Sequence, residues 1–174
     1  ACTPEVFTIR KFALSLIVNP EYEPPWFWRN KHLQTIVPNR MRRVHGVNLD
    51  VESTQLGERQ RDLFWSRVGS KSVAVLAHGL GGHVRRPYIL GMIGALNAQH
   101  YDCVAWHVWG DGESDTTPHL SHGGATDGLR GLVEYLRPNY DRITLIGFSL
   151  GGNVVLKYLG EEGEGAASAA VTIS

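Results

Sequence analysis

Residues 142–160 read RITLIGFSLGGNVVLKYLG, from Arg142 to Gly160, and this stretch decides the fold. Ile143, Leu145 and Ile146 make an apolar run that predicts a buried strand from Arg142 to Phe148. Val154, Val155, Leu156 and Leu159 recur at helical spacing and predict a helix over about Gly151 to Leu159. One sharp turn must therefore lie at Ser149. Gly147-Phe148-Ser149-Leu150-Gly151 fits G-x-S-x-G, the pattern of a nucleophile elbow. In such an elbow the serine backbone is strained so that Oγ projects above the sheet edge, and glycines two residues to either side remove Cβ atoms that would collide. In a chain with 20 glycines the bare pattern is weak, and a Gly-rich turn with an ordinary hydroxyl competes with it. The strand–turn–helix setting favours the elbow.

The same unit is written twice upstream. Ser72 to Ala77 contains the continuous apolar run VAVLA, which suits a strand covered on both faces in a parallel sheet. His78-Gly79-Leu80-Gly81-Gly82 comes next as a glycine-rich turn, then a helix from near Pro87 with Ile89, Ile93 and Leu96 on one face. Cys103 to Val108 is a second buried strand, succeeded by a loop rich in glycine and histidine from Trp109 to Gly124. A helix over Thr126 to Leu136 presents Leu129, Leu132, Val133 and Leu136 on one face and stops at Pro138. Ala169 to Ser174 reads as one more parallel strand. Ahead of these units, alternation at Val47, Leu49 and Val51, then at Leu63 and Phe64-Trp65, predicts two antiparallel strands at one edge. The class is α/β, a mostly parallel sheet with helices on both faces.

Composition narrows the partners. The 174 residues carry 17 basic and 17 acidic side chains, a balance that gives no global pull toward nucleic acid. No apolar run approaches a membrane span; Phe12 to Val18 is too short for a signal h-region. Cys2 and Cys103 are two lone thiols, which fits a reducing, cytoplasmic setting. Residues 1–43 read as an irregular extension packing on the core of 44–174. They hold seven basic residues against three acidic, most simply a solvated face. Pro24-Pro25-Trp26-Phe27-Trp28 offers three rings, either packed on the body or open to a peripheral lipid surface.

An acyl-transfer serine needs a base, a group to orient it, and donors for the oxyanion. Backbone N–H groups of Leu150 and of Leu80 are the candidate donors. His78, Gly79, Gly147 and Gly151 are expected to support the site structurally. No base is in the usual place: all eight histidines precede Ser149, whereas the order expected after an elbow is Ser, then Asp or Glu, then His. Glu161, Glu162 and Glu164, the only acids after Ser149, lie on or just past the helix after the elbow. His119 and His122 sit on the same rim of the sheet, but a polar loop explains them more simply than a catalytic or metal pair. Asp111, Glu113 and Asp115 lack the glycine of a calcium loop, since Thr116 stands there. No metal and no cofactor is expected.

Three groups of residues jointly resemble the YheT-like branch of the α/β-hydrolases, AB-hydrolase family 4. They are Pro25-Trp26 with Arg29-Asn30 and His32-Leu33-Gln34-Thr35; His78-Gly79-Leu80-Gly81-Gly82 with Pro87-Tyr88; and Gly147-Phe148-Ser149-Leu150-Gly151-Gly152-Asn153. The turn at Trp109-Gly110-Asp111-Gly112-Glu113-Ser114 departs from that branch and is closer to the Gly-x-Gly-x-Ser turn of α/β-hydrolases generally. So does His122-Gly123-Gly124-Ala125-Thr126-Asp127, one residue shorter than the branch's stretch. The resemblance implies an α/β-hydrolase fold cut inside its sixth core strand, so that the catalytic Asp and His, the last strands and any lid are missing. It also implies a serine hydrolase acting on carboxylic esters, some of them lipid-like. A non-catalytic α/β protein binding an acyl ligand or a partner is the alternative.

Overall fold

The structure, a computed structural model, describes residues 43–57, 59–107 and 126–174, together with Pro25, Trp26, Asn30 and Val37. Two compact units divide the chain, Ala1–Met41 and Arg42–Ser174. The expected packing of residues 1–43 on the core, the motif His32-Leu33-Gln34-Thr35, Cys2, Val108 and the loop bearing His119 and His122 lie outside the described residues.

The second unit contains a sheet of order β1-β2-β4-β3-β5-β6. Its strands are β1 (Asp50–Leu56), β2 (Arg59–Ser66), β3 (Ser72–Ala77), β4 (Asp102–Trp106), β5 (Arg142–Phe148) and β6 (Ala169–Ile173). β1 and β2 form an antiparallel hairpin, and β2 joins β4 antiparallel. From β4 onward every pairing is parallel. Helices α1 (Pro87–Asn97), α2 (Asp127–Leu136) and α3 (Leu150–Glu162) make the crossovers.

Strict alternation along doubly covered strands divides the apolar residues between two cores. Val73, Val75 and Ala77 of β3 join α2 and α3, while Ala74 and Leu76 face α1 with Ile89 and Ile93. The α2 stripe predicted from spacing is fully sequestered. Three boundaries differ from the sequence reading. Val47 and Leu49 precede β1 and pack as half-buried residues on the α1-side core from irregular backbone. β4 starts one residue earlier, at Asp102, and ends at Trp106. α3 runs three residues past Leu159 because its last turn is pinned: Lys157 pairs with Glu161 at 2.7 Å and Arg130 of α2 reaches Glu162 at 2.6 Å.

At the amino-terminal end of the parallel strands, buried Asp102 ties three segments together. Its carboxylate accepts the N–H of Val68 at 2.7 Å, the N–H of Ser70 at 3.1 Å and the hydroxyl of Tyr140 at 2.9 Å. Burial, and then this carboxylate, push the Tyr140 phenol up to about 12. Replacing Asp102 by Ala strands three donors and should lower the unfolding free energy by on the order of 3 kcal/mol. A urea titration reads this as a lower midpoint, and Asp102→Asn, which keeps an acceptor oxygen, should fall between the two.

Candidate active site

Parallel pairing of β3 with β5 continues to Ala77 opposite Gly147. The segments after those two residues therefore emerge side by side at the carboxyl edge of the sheet. A Cβ placed on Gly79 would lie 3.2 Å from the Ser149 Cβ and 3.8 Å from its Oγ. The turn after β3 and the serine after β5 are in contact.

Ser149 is exposed, and its backbone takes φ 51° and ψ −117°, a conformation non-glycine residues rarely adopt. Such a residue costs about 1–3 kcal/mol and persists only where its surroundings over-determine it. Here its N–H donates to the Ile173 carbonyl of β6 at 2.7 Å, and its carbonyl accepts the Asn153 N–H at 3.2 Å. The two glycines of the motif are dictated by approach. A Cβ on Gly151 would fall 2.4 Å from the Ala77 carbonyl oxygen, and one on Gly147 would fall 2.5 Å from that of Gly151. Any side chain there would push α3 off the strand ends.

The turn His78 to Gly82 is held at both polar groups of Gly79. Its carbonyl accepts the Gly82 N–H at 2.9 Å and a bond from His78 Nδ1 at 2.8 Å, while its N–H donates to the Tyr88 hydroxyl at 3.4 Å. Gly81, at φ 62°, closes the turn. Leu80 stands at the tip with its side chain 78% exposed. No acceptor among the described residues takes its N–H. Leu150 opens α3, so its N–H is one of the helix's unsatisfied donors. Leu150 follows Ser149 in sequence, and Leu80 follows Gly79, which meets Ser149 across the strand ends.

Bonding to a carbonyl makes Nδ1 the protonated nitrogen of His78, so Nε2 is a bare acceptor, buried and without a partner among the described residues. Burial is the main cause that lowers its pKa below 6.5; the Gly79 carbonyl opposes and His83 adds to the lowering. The imidazole is therefore neutral near pH 7 and bonded to the carbonyl of Gly79 in the turn. Sequence reasoning missed its neighbours. The His107 ring lies 5.7 Å from that of His78, 4.7 Å from that of His83 and 5.3 Å from that of Phe64. Tyr88, named in sequence only as part of the motif with Pro87, packs its ring 4.9 Å from Phe148. The hint in the chain for His83 and His107 is that both come after the carboxyl ends of strands. Among the described residues no histidine or carboxylate hydrogen-bonds the Ser149 Oγ, and no group of three or more His, Cys, Asp or Glu is set to hold a metal. None of the helices there is long and apolar enough to cross a membrane. The Cys103 thiol is buried, and that burial pushes it up to about 12, which leaves it inert.

A family model described as "alpha/beta hydrolase fold" matches residues 74–174. Among curated proteins, the chain is 27% identical over 159 residues to the monoacylglycerol lipase ABHD2 of Homo sapiens, covering 83% of this chain and 37% of that one. It is 29% identical over 151 residues to the "Putative esterase YheT" of Escherichia coli (strain K12), covering 82% and 44%. The chain spans less than half the length of these two relatives. Among solved structures, the esterase Pf2001 of Pyrococcus furiosus superposes with a TM-score of 0.57 at 22% identity, over 66% of this chain and 47% of that one. A dienelactone hydrolase of Anabaena variabilis gives 0.60 at 18%, over 74% and 63%. At those identities the likeness is one of fold.

The lowered pKa of His78 has a direction in stability. The unfolded state binds the proton first as pH falls below 6.5, so the share of stability held by the neutral ring is present above 6.5 and is lost on acidification. Urea midpoints of the wild type should drop between about pH 7.5 and about pH 5.5. His78→Asn, whose amide can still donate to Gly79, should show a shallower drop over the same interval.

Proposed function

The chain belongs to the α/β-hydrolase fold family, and on that premise we propose that its site is that of a serine hydrolase of carboxylic esters with Ser149 as nucleophile. The observation that carries this reading is the contact between a strained, exposed serine and a turn whose Leu80 N–H has no acceptor among the described residues. A hydroxyl in an ordinary Gly-rich turn has no reason to hold an unfavourable backbone angle. A nucleophile that must stand clear of the sheet does.

In the proposed reaction Ser149 Oγ bonds to the ester carbonyl carbon as its proton passes to a base. The carbonyl oxygen becomes an oxyanion held by the N–H groups of Leu80 and Leu150. Collapse expels the alcohol with a proton returned from the base, and water then releases the acid from the acyl-serine. Gly79 cannot serve as the second donor, because its N–H is committed to Tyr88. The Leu80 N–H, next in the turn, is the proposed second donor. Base and orienting acid are read as lying beyond the elbow, in the order Ser, Asp, His that the resemblance carries; His78 is neutral, buried and turned to Gly79. The relatives are named a monoacylglycerol lipase and an esterase, and exposed Leu80 gives the rim an apolar contact for an acyl chain. A lipid-like monoester is therefore the proposed substrate class.

A fluorophosphonate probe applied to the full-length protein should label Ser149 covalently, and Ser149→Ala should abolish both the labelling and the hydrolysis of a monoacyl ester. Turnover that persists in Ser149→Ala would sink the assignment.

A further inference from the structure

Tyr88 touches both halves of the site without belonging to either. It sits in the first turn of α1, right after Pro87, which fixes where the helix begins. Its hydroxyl accepts the Gly79 N–H at 3.4 Å, and its ring packs 4.9 Å from Phe148, the residue before Ser149. The same hydroxyl lies 2.8 Å from where a Cβ on Gly82 would stand, so the far end of the turn is built to admit it.

Resting on the serine hydrolase reading, we propose that Tyr88 is a positioning residue that locks the donor turn onto the nucleophile strand. Gly79 decides how freely that turn can move. Its carbonyl is already held twice, by His78 and by Gly82. The Leu80 N–H shares a planar peptide with that carbonyl, whereas the Gly79 N–H belongs to the preceding peptide, and a tilt of that peptide would shift the plane that carries the Leu80 N–H. Tyr88 holds that preceding peptide on its N–H side, and Gly151 packs against its carbonyl side. The hydroxyl holds the turn while the ring rests on the strand that ends in Ser149, so donor and nucleophile keep a fixed separation through a third element. A donor must lie within hydrogen-bond range of where the oxyanion forms, and misplacement far from the chemistry is costly.

Tyr88→Phe removes one oxygen from a half-buried side chain and leaves the ring on Phe148, so the fold is retained; a thermal melt verifies this. In the full-length protein, hydrolysis of a p-nitrophenyl ester by this variant should show kcat lowered by about ten-fold or more with KM within about two-fold of wild type. The second-order rate of fluorophosphonate labelling should fall by a similar factor. Amide exchange at Gly79, measured in full-length Ser149→Ala where no turnover complicates it, should speed up by about ten-fold when Tyr88→Phe is added. A merely structural tyrosine would lower the melting temperature and leave the kcat to KM split untouched. Wild-type kcat and labelling in a folded Tyr88→Phe would overturn the inference while the hydrolase reading stood. Failure of the wild type itself to label would instead count against that reading, and the exchange measurement would still decide whether Tyr88 holds the turn.

Discussion

How near α3 can come to the ends of β3 and β5 governs everything at this site. Backbone meets backbone there: the positions a Cβ would need on Gly147 and Gly151 are already filled by carbonyl oxygens and main-chain atoms. Such an approach leaves the residue between them no relaxed path, and Ser149 is driven to positive φ. Its hydroxyl reaches solvent because the chain has no other way to turn. Close packing is thus the source of the strain, and the strain is the source of the exposure.

The opposite end of the sheet is built on a different principle. There a single buried carboxylate, Asp102, gathers two loop N–H groups and a phenol that would otherwise be unsatisfied. Arg67 lies over the Trp65 ring at 3.9 Å and pairs with Glu52, which in turn accepts the Tyr135 hydroxyl at 2.6 Å. These outer pairs are partly exposed and contribute modestly. Asp102 thus satisfies three donors at one end of the strands, while at the other end the Leu80 N–H and the Ser149 hydroxyl have no partner among the described residues.

The parts of the fold legible in the sequence are those where burial is complete on both faces. β3, β4 and β5 announce themselves as unbroken apolar runs, and α2 by a stripe in which every member is sequestered. The start of β1 is misleading in sequence because Val47 and Leu49 are apolar for a tertiary reason, packing against α1 without joining a strand. The end of α3 misleads because charge pairs with α2 carry it past its apolar pattern. The elbow can be read because its glycines answer a local collision. The contacts of Tyr88 with Gly79 and Phe148 and the ring contacts of His83 and His107 cannot, since they arise only when the strand ends converge.

Ser149 also has a tie to the edge of the sheet. Its N–H is accepted by the carbonyl of Ile173, in a pairing where Phe148 stands opposite Ile173. Sliding β6 by one residue would reverse its faces and aim that carbonyl elsewhere. β6 pairs parallel with β5 from Thr144 opposite Ala169 to Phe148 opposite Ile173. That carbonyl is placed by the pairing of β5 with β6, so the alignment of β6 and the backbone angle of Ser149 are set together.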